Sequence, residues 1–250
     1  MGRFQKLISS TLAAISLLIN CSCQQIADKF DEFSGQISPI IENISESVKT
    51  KDTDSFTEFI DPQSDEPYII LNDNLPEFDT IEITTDEFER YSELDDLGRC
   101  GVAYANISLY TMPTEEREGI GMIKPSGWHT VKYDCVNGKY LYNRCHLIGF
   151  QLAGENANKL NLVTGTRYMN VDGMLPFENE VADYVHDTGN HVLYRVTPLF
   201  IDDELVCRGV QMEALSVEDN GKGVCYNVFV YNIQPGIQIN YATGESCLAA

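Results

Sequence analysis

The stretch Tyr142-Asn143-Arg144-Cys145-His146 decides how this chain is read. It closes a hairpin signal in which Val131–Cys135 and Lys139–Arg144 flank Asn137-Gly138, the favoured two-residue turn. In extended backbone, residues two apart point to the same face, so Arg144 and His146 project together. Breaking a phosphodiester needs such a pair, a neutral imidazole to take a proton from water and a guanidinium to meet phosphate oxygens two at a time. Taken alone, an R-x-H spacing more often marks a partly buried histidine satisfied by a neighbour.

Downstream comes Asn161-Leu-Val-Thr-Gly-Thr-Arg167-Tyr-Met-Asn170, then Gly173-Met-Leu-Pro-Phe-Glu178. The pattern over Leu175–His186 predicts a helix, with Pro176 near its start and Gly189 past its end. Asn170 immediately precedes that helix, and Glu178 lies about two turns along it. A hard cation such as Mg²⁺ prefers oxygen ligands and keeps several waters, so one amide oxygen and a carboxylate acting through water make a workable site. The plain alternative for Asn170 is a turn or helix-entry residue. A second hairpin is predicted from Leu205–Leu215 and Val224–Gln234 around a polar loop, dense in Val, Tyr and Phe. A turn near Asp219 would set Cys207 opposite about residue 232 and Cys225 opposite about residue 214.

Toward the N-terminus, Arg3 and Lys6 precede an apolar run, Leu7–Ile19, followed by small and polar residues. That is a signal-peptide layout over residues 1–23, too short to span a bilayer. Leu18 stands three residues before Cys21 as in a bacterial lipobox, with Asn20 where a small residue is usual, so Cys21 is a candidate membrane tether. Residues 24–64 are rich in Ser, Asp and Glu and are expected to form an acidic linker or stalk. A helical stripe from Ile26 to Val48 is interrupted by Gly35 and Pro39. A folded domain is expected over 65–250, long enough for one sizeable core.

The net charge of −21 opposes any protein that holds nucleic acid by bulk attraction. Its distribution is uneven: residues 1–94 carry 6 basic against 19 acidic side chains, net −13, and residues 95–250 carry 11 against 19, net −8. A bound cation would have to add local positive potential. Beyond Cys21 and Cys23, six cysteines remain, and export would permit disulfides among them. No C-x-x-C pair supports a structural zinc. The two hairpin registers argue against Cys135–Cys145 and Cys207–Cys225 bridges.

These segments resemble the DNA/RNA non-specific endonucleases of the ββα-metal (His-Me finger) type, in the branch of streptococcal secreted DNases and DNA-entry nucleases. The likeness runs from about Leu97 to Tyr241, through Leu97-Gly-Arg-Cys-Gly-Val-Ala-Tyr, Tyr140–Phe150, Asn161–Asn170, Gly173–Tyr184 and His191-Val-Leu-Tyr-Arg-Val-Thr-Pro. It implies an α+β fold, a ββα-metal core on a central antiparallel sheet with flanking helices. It also implies His146 as general base, Arg144 on the phosphate, Asn170 as direct metal ligand and Glu178 holding metal-bound water. Asn161 and Arg167 would support substrate binding. Mg²⁺ is the implied cofactor, with Mn²⁺ as substitute, and the expected substrate is DNA, with RNA as a second. The family motif D-R-G-H reads Asn143-Arg144-Cys145-His146 here, which loses a carboxylate and shows that position 145 does not demand positive φ. Two other readings stand beside this one. Cys145 would be a nucleophile with a distant histidine, since His146 points to the opposite face. Alternatively, the chain is a non-catalytic acidic surface lipoprotein that binds a partner through Trp128 and its tyrosines.

Overall fold

From Val192 to Tyr231 the sequence is dense in β-branched and aromatic residues, and it forms consecutive antiparallel strands. The structure is a computed structural model and describes residues 66–249. The signal segment, Cys21 and the stalk over 24–64 lie outside the described residues. Ten strands are present among them: β1 (Tyr68–Ile70), β2 (Phe88–Tyr91), β3 (Ala103–Ile107), β4 (Tyr142–His146), β5 (Leu162–Thr166), β6 (Val192–Leu199), β7 (Gly209–Ser216), β8 (Cys225–Tyr231), β9 (Ile237–Ile239) and β10 (Ser246–Leu248). Two α-helices join them, α1 (Phe150–Ala153) and α2 (Leu175–Thr188). The fold is α+β, with a central six-stranded antiparallel sheet in the order β1-β8-β7-β6-β3-β2.

One face of that sheet builds the main core. Alternate residues Ala103, Ala105 and Ile107 of β3, Val210, Met212 and Ala214 of β7, and Val228 and Val230 of β8 point to it. Val181, Ala182 and Val185 of α2 close over them, and Cys145 and Val163 bring in the separate β4–β5 pair. Each fully buried valine here contributes about 1.5–3 kcal/mol from leaving water. The opposite face holds a smaller cluster of Tyr104, Leu193 and Val217, flanked by Phe78 and Phe88.

Helix α2 begins with Pro in its first turn and ends at Gly189, whose φ of 69° suits the left-handed cap. The second hairpin forms with Leu215 opposite Cys225 and Gly209 opposite Tyr231. That is one residue from the predicted register, enough to exchange the two faces of a strand.

The first hairpin differs more. Val131–Cys135 is not a strand; one bridge joins Lys132 to Tyr140, and Tyr133 N–H donates to Lys139 O at 2.9 Å. Asn137 and Gly138 do occupy a turn closed from Lys139 N to Val136 O at 2.8 Å, but both Gly138 and Lys139 take positive φ. Val136 is buried with Leu141 and Tyr142, and this packing curls the chain before a ladder can form. The partner of β4 is instead β5.

The disulfides that export would permit are also absent among the described residues. Cys100, Cys135, Cys145, Cys207, Cys225 and Cys247 are free thiols. Cys145 and Cys207 are fully buried core side chains, whereas Cys135 and Cys247 sit at the surface. No described helix is long and apolar enough to cross a membrane.

Candidate active site

Strands β4 and β5 pair from Tyr142 opposite Thr166 to His146 opposite Leu162. After β5 the Thr166 hydroxyl accepts from Met169 N–H at 2.9 Å and starts a six-residue π-helical turn, Met169–Met174, that runs into α2. Gly173 lies in this turn because a Cβ there would come within 2.3 Å of Val230 Cγ1. Asn170 sits in the turn and lines a cleft of about 800 Å³, where its side-chain amide has no hydrogen-bond partner among the described residues. Single π turns commonly mark functional positions.

His146, at the end of β4, is 6% exposed. Its Nε2 lies 2.9 Å from Asn156 O, and a carbonyl only accepts, so Nε2 carries the hydrogen and Nδ1 is the unprotonated, accepting nitrogen. Nδ1 faces Arg117 Nη2 at 3.4 Å. Burial holds the imidazole below its usual pKa and the Arg117 charge lowers it further, against the opposing bond to Asn156, so it is neutral at neutral pH.

The loop after His146 is fixed by Asn161. Its Oδ1 accepts from Ile148 N–H and its Nδ2 donates to Ile148 O, both at 2.9 Å, and the residue is fully buried. The expectation that Asn161 touches substrate is therefore corrected: both ends of its amide are used to shape the turn. That turn brings Gly149 against Glu178, whose carboxylate atoms would lie 2.8 Å from a Cβ at position 149. Burial raises Glu178 to about 7, with the Arg117 charge opposing.

Arg144 shares the cleft with His146, as strand alternation requires. One edge of its guanidinium is already occupied, however. Nε donates to Ile123 O, Nη2 donates to Gly121 O at 2.8 Å, and the group stacks on Trp128 at 4.0 Å. The Nε–Nη2 edge of its fork is thus spent on the 121–123 backbone, which leaves Nη1 to meet a phosphate. Arg117, which no sequence motif signalled, is the guanidinium beside His146, and Arg167 lines the same cleft.

Cys145 is fully buried, with its thiol pKa pushed well up by that burial. Its Sγ fills the space beside Gly165, where a Cβ would come within 2.4 Å of it. A buried, protonated thiol with no route to a substrate overturns the Cys145-nucleophile reading. Asn143 lines the cleft with its Nδ2 buried and unpartnered, a donor that the carboxylate usual in the resembled family would not have.

No cluster of three or more His, Cys, Asp or Glu suited to a metal occurs among the described residues. The donor set fits a hard, mostly hydrated cation: an unpartnered amide at Asn170, and a buried carboxylate at Glu178 whose pKa is raised by its burial. A second hollow of similar size, about 780 Å³, is lined by His129, Gln238, Glu245 and Cys247 but by no Lys or Arg. Electrostatics, not size, separates the two.

The model of the DNA/RNA non-specific endonuclease family matches residues 79–218. The fold is similar to that of NucA from Streptococcus agalactiae, solved with no metal and with a magnesium ion bound. In each case the TM-score is 0.65 with 27% identity over 75% of this chain and 89% of NucA. It is also similar to the Sda1 nuclease with bound zinc, at TM-score 0.62 and 26% identity over 74% of this chain and 97% of that one.

Proposed function

The chain belongs to the DNA/RNA non-specific endonuclease family and is a nuclease, and we propose that it hydrolyses DNA, with RNA as a second substrate, using His146 as general base and one divalent cation. The observation that carries this reading is the tautomer of His146. With Nε2–H held by Asn156, the unprotonated Nδ1 faces Arg117 at 3.4 Å in a cleft also lined by Arg144 and Arg167.

In the proposed reaction, Nδ1 takes the proton of the attacking water while the Asn156 carbonyl steadies the imidazolium that forms. The water oxygen bonds to phosphorus as the bond to the leaving 3′ oxygen breaks, giving a 5′-phosphate end and a 3′ hydroxyl that takes its proton from solvent water. Arg117 and Arg167 orient the phosphate and offset its charge, and Arg144 adds its field while bracing the 121–123 loop. A cation held by Asn170, with Glu178 acting through water, would polarise the phosphate as a Lewis acid; Mg²⁺ fits the oxygen donors. The NucA structure with magnesium supports that choice, although Sda1 holds zinc. Contacts made chiefly to phosphate leave little sequence preference.

We further propose export through residues 1–23, a stalk over 24–64, a nuclease domain over 65–250 and a membrane tether at Cys21. The test is incubation of the full chain with circular DNA and with RNA, in Mg²⁺ or in EDTA. Cutting in Mg²⁺ that EDTA abolishes is the expected result; equal cutting in both would remove the metal from the proposal. Inertness toward both nucleic acids would favour the acidic binding module.

A further inference from the structure

Part of the cleft lining is aromatic, and the proposed reaction makes no use of those rings. Tyr140, Tyr142, Arg144 and His146 fall at alternate positions along one line of chain, and all four border the cleft. Tyr142 is buried, and its hydroxyl donates to Gly244 O at 2.9 Å, which makes it a support for the wall. Tyr140 behaves differently: it is 47% exposed, and Lys132 Nζ sits 4.3 Å from its ring centroid. Trp128 stands on the same wall with Arg144 stacked against it. Tyr140 lies six residues from His146, roughly 20 Å at the rise of extended chain.

A ring half open to solvent, with a cation against it, in a cleft that collects arginines, suits one class of occupant. Each base has a π-face that stacks on tyrosine, and the ammonium near the ring attracts the phosphate beside it. Bases in a duplex are already stacked and paired, so only an unpaired base reaches such a ring. We infer that Tyr140, with Lys132 and Trp128, forms a subsite that stacks an unpaired base of the substrate several nucleotides from the scissile phosphate. This rests on the nuclease cleft proposed above. It gives the enzyme a preference for single-stranded or locally opened nucleic acid that phosphate contacts alone do not provide.

The experiment uses the full chain carrying His146→Ala, so that bound substrate survives, and a single-stranded oligonucleotide containing 2-aminopurine, with the matching duplex as control. Stacking on Tyr140 is expected to quench the probe at one position of the strand. Tyr140→Ala should abolish the quench and weaken single-strand binding roughly tenfold, the effect typical of losing one base–aromatic stack. Tyr140→Phe should retain both, because the ring and not the hydroxyl stacks. An abasic site walked along the strand should lower affinity at that same position. Single-strand affinity and quench unchanged in Tyr140→Ala would overturn the subsite, as would an equal loss on the duplex. A parent that binds neither form would overturn the nucleic-acid reading of the cleft itself, which is a distinct result.

Discussion

Arg195, Arg99 and Arg208, in and beside the sheet, are in the opposite electrostatic state to the arginines of the cleft. Arg195 on β6 places Nε 2.7 Å from Glu213, Arg99 places Nε 2.7 Å from Asp95, and Arg208 is bound by Glu204. None of Arg117, Arg144 and Arg167 has a carboxylate at ion-pair distance among the described residues, although the chain carries 38 acidic side chains. The histidines divide in the same way: His191 contacts Glu218 at 2.6 Å, whereas His146 faces a cation. The charges of Arg195, Arg99 and Arg208 are neutralised by neighbours, and the cleft keeps its positive charge for a ligand that is not part of the protein. A net charge of −21 therefore does not exclude a phosphate site, because the local balance decides what binds there.

The largest effect that would break this contrast is at Arg117. Arg117→Ala should lower kcat on plasmid DNA by about 10²–10³, the usual consequence of removing one donor aimed at developing charge. A parental kcat would return Arg117 to the status of a surface residue.

On the sheet side the effect should fall on stability. Glu213 is 2% exposed, so Glu213→Ala leaves Arg195 beside an empty, buried partner position. Because Arg195 keeps some solvent contact and Glu82 at 3.9 Å, the loss should be about 2 kcal/mol, less than for a sealed pair. Urea unfolding checks it, and the folded variant should cut at the parental rate.

The contrast can also be sharpened through pH. The folded pKa of His146 lies below 6.5, so the base is neutral above that value and kcat/KM should stay level down to it. Below its own pKa the proton occupies Nδ1, and kcat/KM should fall by about tenfold per unit. Arg117→Gln removes one of the causes that lower this pKa, so the acid limb should move upward toward 6.5. A limb that stays in place or moves down would show that Arg117 does not act on the imidazole.

What could be read in the sequence was what local pattern controls. Pro176 and Gly189 bracket α2 because caps depend on a few adjacent residues. The β7–β8 register came within one position because its turn is polar and its strands are rich in β-branched and aromatic residues. Arg144 and His146 were placed in one cleft by alternation alone. What was missed depends on contacts between distant segments. Val136 is drawn into a small core that undoes the Asn137-Gly138 hairpin, and the ladder partner of β4 comes from β5. Arg117 lies in a loop of Thr, Glu and Gly with no periodicity, 29 positions before His146, and only the tertiary fold brings them together. Asn161 stood in the right motif, but burial makes it a brace for the His146 turn.

The central claim is that His146 Nδ1 is the base, and plasmid cleavage by His146→Gly with and without free imidazole tests it most directly. The account predicts a loss of about 10²–10⁴ in rate without imidazole and concentration-dependent recovery when imidazole enters the vacated space. Cutting at the parental rate without imidazole would contradict it.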